Sequence, residues 1–280
     1  MASLTIKEAL KHASNSLHDS DTSELDSEVL LAYLLKKNRS YFRAWPDRSL
    51  STEELDAYQQ LIERRKNGQP IAYLTGEREF WSRSFIVSPD VLIPRPDTEL
   101  LIDITQQKFT PSQAFSILDL GTGSGAIAIT LALEFPNASV TAVDSSTKAL
   151  AIANKNSQRL NSHKVGFIHS DWFKQVPTQA FDLIVSNPPY ICQTDPHLLD
   201  GDVRFEPNSA LIAMDQGLLD IKNIIANAPV YLKPNGILLF EHGYQQGKPI
   251  KSLLELLGFK SIEQFQDIQG HTRATLGKKP

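Results

Sequence analysis

Cysteine is nearly absent. Cys192 stands alone among 280 residues, which excludes an internal disulfide framework and any multi-cysteine metal site and fits a reducing cytoplasm. A basic excess is missing too: 28 Lys and Arg against 32 Asp and Glu leave a net charge of -4, which argues against a chain held mainly by nucleic-acid phosphates. No apolar run approaches membrane-spanning length, and Met1-Ala2-Ser3-Leu4-Thr5-Ile6-Lys7-Glu8 lacks the basic and then apolar regions of a signal peptide. A soluble cytoplasmic protein with no membrane or DNA partner is expected, and a monomer. His169, His197, His242 and His271 are scattered without ligand spacing, so no metal is expected. Repeats, low-complexity tracts and charge blocks are also missing. What is there is 41% hydrophobic content, enough for a sizeable core in one or two domains.

The chain opens with helical periodicity. Ile6, Ala9, Leu10, Ala13 and Leu17 share one face behind a Thr5/Glu8 capping box; Ser23 precedes a second such run, and Ser51 with Glu54 opens a third. Residues 1–75 are expected to form a small helical bundle that binds a partner, because they carry no catalytic cluster. Gly68-Gln69-Pro70 ends the last of these helices. Residues 76–93 then read as a β-hairpin linker, with β-prone segments on either side of Ser82-Arg83. Residues 94–280 form the expected catalytic domain. They open with Pro94-Arg95-Pro96-Asp97-Thr98-Glu99, which is either a capped helix start after a stiff linker or a segment in which Arg95, Thr98 and Glu99 close over a ligand. From Phe115 strands and helices alternate as in a mostly parallel α/β sheet, with a helix expected over 211–226 and two antiparallel strands at the end.

Two stretches carry chemistry. Gly121-Thr122-Gly123-Ser124-Gly125 follows a strand and opens a helix, so its backbone can approach a ligand and offer free N–H groups. By itself this turn also satisfies a nicotinamide dinucleotide pattern. Two acids favour S-adenosylmethionine instead. Asp144 ends the next strand, where a carboxylate can accept both ribose hydroxyls, and Asp119 puts negative charge where a pyrophosphate is repelled and a sulfonium or ammonium is attracted. Asp171 and Trp172, past the third strand, can accept from an adenine amino group and pack on the base. The second stretch is Asn187-Pro188-Pro189-Tyr190, where an apolar strand stops at an amide, two prolines and a ring. The prolines stiffen the exit and hold Asn187 extended. The Asn187 side-chain oxygen and the Pro188 carbonyl can then accept both N–H groups of a planar amino or amide nitrogen, with Tyr190 stacked on it. An ordinary strand exit is the plainer alternative for this stretch alone.

Together Asp119 to Gly125, Asp144 and Asn187 to Tyr190 resemble the class I S-adenosylmethionine-dependent methyltransferases of exocyclic or amide nitrogen. Gln69 to Gly76, Leu92 to Glu99, Gly201 to Pro207 and Asp267 to Arg273 extend the resemblance to the PrmC/HemK protein-glutamine methyltransferases. Ser124 stands where the resemblance leads one to expect Thr. The resemblance implies a Rossmann-like, mostly parallel seven-stranded sheet with an antiparallel last strand. It further implies methylation of the glutamine in the Gly-Gly-Gln motif of class 1 peptide chain release factors. By position, Gly121 to Gly125, Asp144, Trp172 and Asn187 would contact cofactor, and Asn187, Pro188, Pro189 and Tyr190 the glutamine. A ribosomal protein glutamine, an adenine N6 acceptor and a cofactor-binding module without turnover remain as alternatives. Arg204, Glu206 and Pro207 either touch substrate or brace their loop.

Overall fold

The computed structural model describes residues 4–280, so the reading of Met1-Ala2-Ser3 against a signal peptide lies outside the described residues. The chain clusters into two units: the first runs up to Glu77 and takes in Leu199–Phe205, the second holds Arg78–Leu198 and Glu206–Pro280. Among the described residues no helix is long and apolar enough to cross a membrane.

The first unit is helical. Its helices are α1 (Ile6–Ser16), α2 (Ser23–Leu35), α3 (Arg39–Ala44), α4 (Thr52–Lys66) and α5 (Ile71–Thr75). Capping boxes start α1 and α4: Thr5 Oγ1 and Ser51 Oγ accept the N–H groups of Glu8 and Glu54, whose carboxylates accept back from the cap backbones. Such caps satisfy donors that helix ends otherwise leave unpaired. Ile6, Ala9, Leu30, Leu31 and Tyr58 close the core, with the Tyr58 hydroxyl donating to the Ser27 carbonyl at 2.9 Å. α3 has too few residues for a periodic signal and is marked only by the Asn38 cap, which accepts from Tyr41 N–H. Within this unit Arg65 bridges buried Asp26 at 2.7 Å and Asp202 at 2.9 Å, and Arg204 donates to the Asn67 carbonyl.

The second unit begins with a hairpin, β1 (Glu77–Phe80) and β2 (Arg83–Ile86), whose turn is Trp81-Ser82. That is one residue earlier than the expected Ser82-Arg83. Both turn residues have positive φ, 51° and 56°, as tight hairpin turns require, but neither is the Gly or Asn that normally advertises such a turn.

The unit continues through α6 (Glu99–Lys108), β3 (Ser116–Leu120), α7 (Ala126–Glu134), β4 (Ser139–Asp144), α8 (Thr147–Arg159), β5 (Val165–His169) and β6 (Phe181–Ser186). After β7 (Ile191–Cys192) come β8 (Ile212–Ala213), the single turn α9 (Met214–Gly217), α10 (Leu219–Tyr231), β9 (Leu232–Glu241), α11 (Gly247–Leu256), β10 (Lys260–Gln266) and β11 (Thr272–Lys278). Seven strands form one sheet in the order β10-β11-β9-β6-β3-β4-β5. All its neighbours are parallel except where β11 runs antiparallel to both β9 and β10. The expected Rossmann-like sheet with an antiparallel last strand is the one observed.

The alternating apolar residues of the strands bury both faces, as a parallel sheet demands. Ile117, Leu183, Val185 and Leu239 pack with α6 and α7, while Leu118, Ile184, Leu238 and Phe240 pack with α10 and α11. The helix expected over 211–226 is corrected. Ile212 and Ala213 pair with β7, Asp215 and Gln216 turn left-handed at φ 56° each, and the helix starts at Leu219 and runs to Tyr231. Leu211, Met214 and Leu218 mimic a helical period that the left-handed turn interrupts.

Candidate active site

Strand order reverses at β3: the chain steps outward through β4 and β5, then crosses back to place β6 on the other side. Open α/β sheets bind ligands at such a switch, outside the carboxyl ends of the strands. Register does the rest. Leu120 pairs with Val143 and with Ser186, Asp144 with His169, and Ser186 with Phe240. The residues that follow, Gly121, Asp144, Ser170, Asn187 and Glu241, therefore come out along one sheet edge.

On the Gly121 side of the edge the glycine turn is held by main chain. Gly121 and Thr122 N–H both donate to the Val143 carbonyl at 2.9 Å. Gly121 sits at φ 75° with the Trp172 ring 3.5 Å from where a Cβ would stand, and Gly125, at φ 82°, would drive a Cβ to 2.7 Å from Ile129. At Gly121 the positive φ alone disfavours a side chain, whereas at Gly125 both φ and crowding do. Asp144 accepts Gly123 N–H at 2.9 Å through Oδ2 and Ser146 N–H at 2.8 Å through Oδ1. Burial nevertheless holds its pKa above the ordinary value. Asp119 is wholly buried, and neither of its carboxylate oxygens nor the Thr122 hydroxyl makes a hydrogen bond of normal geometry, although Thr122 and the Ala128 N–H lie close enough to offset part of the burial effect. Burial first, and the Asp144 charge with it, push Asp119 up to about 7. Uncompensated acceptors in an apolar interior are costly and mark a place where charge is wanted.

A cavity of about 310 Å³ opens on this edge, lined by Gly121, Thr122, Gly123, Ser124, Asp144, Asp171, Trp172, Asn187 and Pro189 of the expected residues. Asp119, Gly125, Pro188 and Tyr190 lie off its wall. Trp172 has φ 48° and its indole N–H donates to Asp220 at 3.2 Å. Asp220 also lines the cavity, and it escaped the sequence reading because it falls inside the helix that was expected to begin at 211. The Asp171 carboxylate is paired with Lys174 at 2.7 Å. Over the cavity, buried Glu206 accepts Ile93 N–H at 3.0 Å and pairs with Arg95, which braces Pro207 and Ser209 against the wall. Glu99 accepts Trp81 N–H at 2.7 Å and so anchors the hairpin, while Thr98 lines the cavity.

On the Asn187 side of the edge the fittings are side chains. Asn187 Nδ2 donates to Thr98 Oγ1 at 3.1 Å, Thr98 Oγ1 donates to Glu241 Oε2 at 2.7 Å, and the Tyr190 hydroxyl donates to Glu241 Oε1 at 3.1 Å. Glu241 and Thr98 are buried, and burial raises the Glu241 pKa. Burial, with the Glu241 carboxylate beside it, pushes the Tyr190 hydroxyl far up, so it stays protonated. The Tyr190 carbonyl accepts Gln246 Nε2 at 3.0 Å and faces Gly217, where a Cβ would come within 2.1 Å of it. Nothing in the sequence singled out Glu241, because its partners lie far along the chain.

The fold is the Rossmann-like one of known class I methyltransferases. A methyltransferase from Pyrococcus furiosus superposes with a TM-score of 0.54 at 20% identity, covering 79% of this chain and 97% of that one. The T. thermophilus 16S rRNA N2 methyltransferase, solved with AdoMet and guanosine, gives 0.54 at 20% identity over 73% of this chain and 50% of its own. Residues 8–76 match the PrmC N-terminal domain, and residues 96–199 the methyltransferase small domain. The release factor glutamine methyltransferase of Shewanella oneidensis is 47% identical over 98% of this chain and 96% of its own length. The proteins of that name from Vibrio cholerae and Escherichia coli are 48% identical over 99% and 97%, and 43% identical over 96% and 97%. The chain belongs to the release factor glutamine methyltransferase family.

Proposed function

We propose that this protein transfers the methyl group of S-adenosylmethionine to the side-chain amide nitrogen of the glutamine in the Gly-Gly-Gln motif of class 1 peptide chain release factors. The observation that carries this reading is the Asn187 amide, tethered through its nitrogen at the rim of a cavity whose other wall is the glycine turn and Asp144. The residues present suit the donor. Asp144 can hold the ribose hydroxyls, Asp171 and Trp172 the adenine, the Gly121 to Gly125 backbone the amino acid moiety, and buried Asp119, once ionised above about pH 7, supplies a negative field for its cationic end. S-adenosylmethionine brings a methyl group already activated on a sulfonium.

The chain's own work is then on the acceptor. An amide nitrogen is a poor nucleophile because its lone pair is delocalised. The Asn187 oxygen and the Pro188 carbonyl accept its two N–H bonds, which favours a pyramidal nitrogen with the lone pair turned to the cavity. Tyr190 packs on the amide plane, held by its bond to Glu241. No nucleophilic side chain is required, and the product sheds its proton after transfer.

The test is to incubate the protein with S-adenosylmethionine and, in separate arms, a purified class 1 release factor, ribosomal proteins or double-stranded DNA, then map methylation by mass spectrometry. One added methyl on the Gly-Gly-Gln glutamine is expected. Methylation only in the ribosomal or DNA arm, or none with cofactor bound, would overturn the reading.

A further inference from the structure

We infer that Thr98 and Glu241 form a hydrogen-bond relay that fixes which end of the Asn187 amide faces the acceptor, making them positioning residues for amide selectivity. This rests on the acceptor role given to Asn187 above. With Glu241 ionised, which the Arg273 charge favours against the effect of burial, its carboxylate only accepts hydrogen bonds, and a hydroxyl has one proton to give. Glu241 takes the Tyr190 hydroxyl proton on one oxygen and the Thr98 hydroxyl proton on the other, at 3.1 and 2.7 Å. Thr98 has then spent its donor. Toward Asn187, 3.1 Å away, it can only accept, so the group presented to it must be the Asn187 NH2.

The other end of the amide, Oδ1, is thereby left for the ligand, and an oxygen there accepts from an NH2 but repels the oxygens of a carboxylate. The buried carboxylate thus imposes a direction that runs through Thr98 to the amide. Its burial matters, because Thr98, buried with it, has no solvent partner to turn toward. A neutral glutamine at 241 would break the direction. Its amide can give as well as take, Thr98 could then donate to Asn187, and both amide orientations would become available.

The experiment compares Thr98→Val, Thr98→Ser, Glu241→Gln and Asn187→Ala in the full-length protein. Methyl transfer to a purified release factor gives kcat and KM, and calorimetry gives the cofactor affinity. A release factor whose Gly-Gly-Gln glutamine is replaced by glutamate serves as competing ligand. Thr98→Val, of nearly the same shape as threonine, is expected to lose about 10- to 100-fold in kcat, the lower part of the range for losing one preorganised hydrogen bond. Thr98→Ser recovers most of that loss, and although Thr98 lines the cavity, cofactor affinity changes less than kcat in each variant, as expected of residues whose main effect is on the acceptor. Glu241→Gln should also narrow the preference for the glutamine over the glutamate ligand by about 10-fold, which a packing defect would not do.

Wild-type kcat in Thr98→Val and Glu241→Gln, or an unchanged preference in Glu241→Gln, while Asn187→Ala is crippled, overturns the relay and leaves the acceptor role standing. Wild-type kcat in Asn187→Ala overturns the acceptor role itself. Should Glu241→Gln fail to fold, the Val and Ser pair at 98 decides.

Discussion

The two walls of the site are held in different ways. The donor wall is a contiguous turn whose contacts are main chain to main chain, or main chain to the Asp144 carboxylate 21 residues away. The acceptor wall is a chain of side chains joining Asn187 to Thr98 across 89 residues and Thr98 to Glu241 across 143. A backbone cradle has no single group whose removal undoes it, whereas a side-chain relay can fail at one hydroxyl. Donor binding should therefore degrade gradually under substitution, and acceptor chemistry abruptly.

The strongest test of that difference is Asn187→Ala. Turnover should fall by about 100-fold or more, as when one preorganised transition-state hydrogen bond is removed, with cofactor affinity within about twofold. Wild-type turnover would erase the contrast. Asp144→Ala is the matching cut on the donor wall. It should weaken cofactor binding by roughly 1.5–3 kcal/mol, the scale of hydrogen bonds to a charged group, and isothermal calorimetry showing unchanged affinity would remove Asp144 from the ribose.

Gly217→Ala asks how firmly the acceptor loop is braced from behind. A Cβ within 2.1 Å of the Tyr190 carbonyl, at φ 81°, should cost about 1–3 kcal/mol of stability and lower kcat more than cofactor affinity. A melting temperature and kcat equal to wild type would deny the brace.

The smallest effect concerns the buried acid under the donor wall. Burial lifts Asp119 from 3.8 to about 7, so between those values the folded protein keeps a proton that the unfolded chain has released. Its contribution to stability is full below the lower value and is lost as the pH rises to about 7. Asp119→Asn should shrink the fall in unfolding free energy between pH 6 and pH 8 by on the order of 1–2 kcal/mol, measured by urea titration without cofactor. An unaltered pH dependence would mean that Asp119 does not carry this proton.

Much of the fold could be read before the structure, and the misreadings have physical causes. The capped helices and the apolar strands were legible because caps and periodicity are local. The short α3 offered too few residues for a period, and Trp81-Ser82 turns without glycine. Leu211 to Leu218 imitates a helix until Asp215 and Gln216 turn left-handed, and that false start hid Asp220. At the site, Asn187 stood out by its flanking prolines and Asp144 by its place at a strand end. Thr98 appeared only as part of a segment that either caps or closes, and Glu241 as the last residue of an ordinary strand.

The amino-acid sequence by itself determined the glycine turn, the stiff Asn187 to Tyr190 exit and the acid that ends β4, because these depend on φ, ψ and chain neighbours. Only the tertiary structure decided which way the Asn187 amide is turned. That depends on Leu120, Ser186 and Phe240 lying side by side in the sheet, which delivers Thr98 and Glu241 from distant segments to one buried hydrogen-bond chain. Partners so far apart leave no periodic trace, and their direction follows from donor and acceptor chemistry only once they meet.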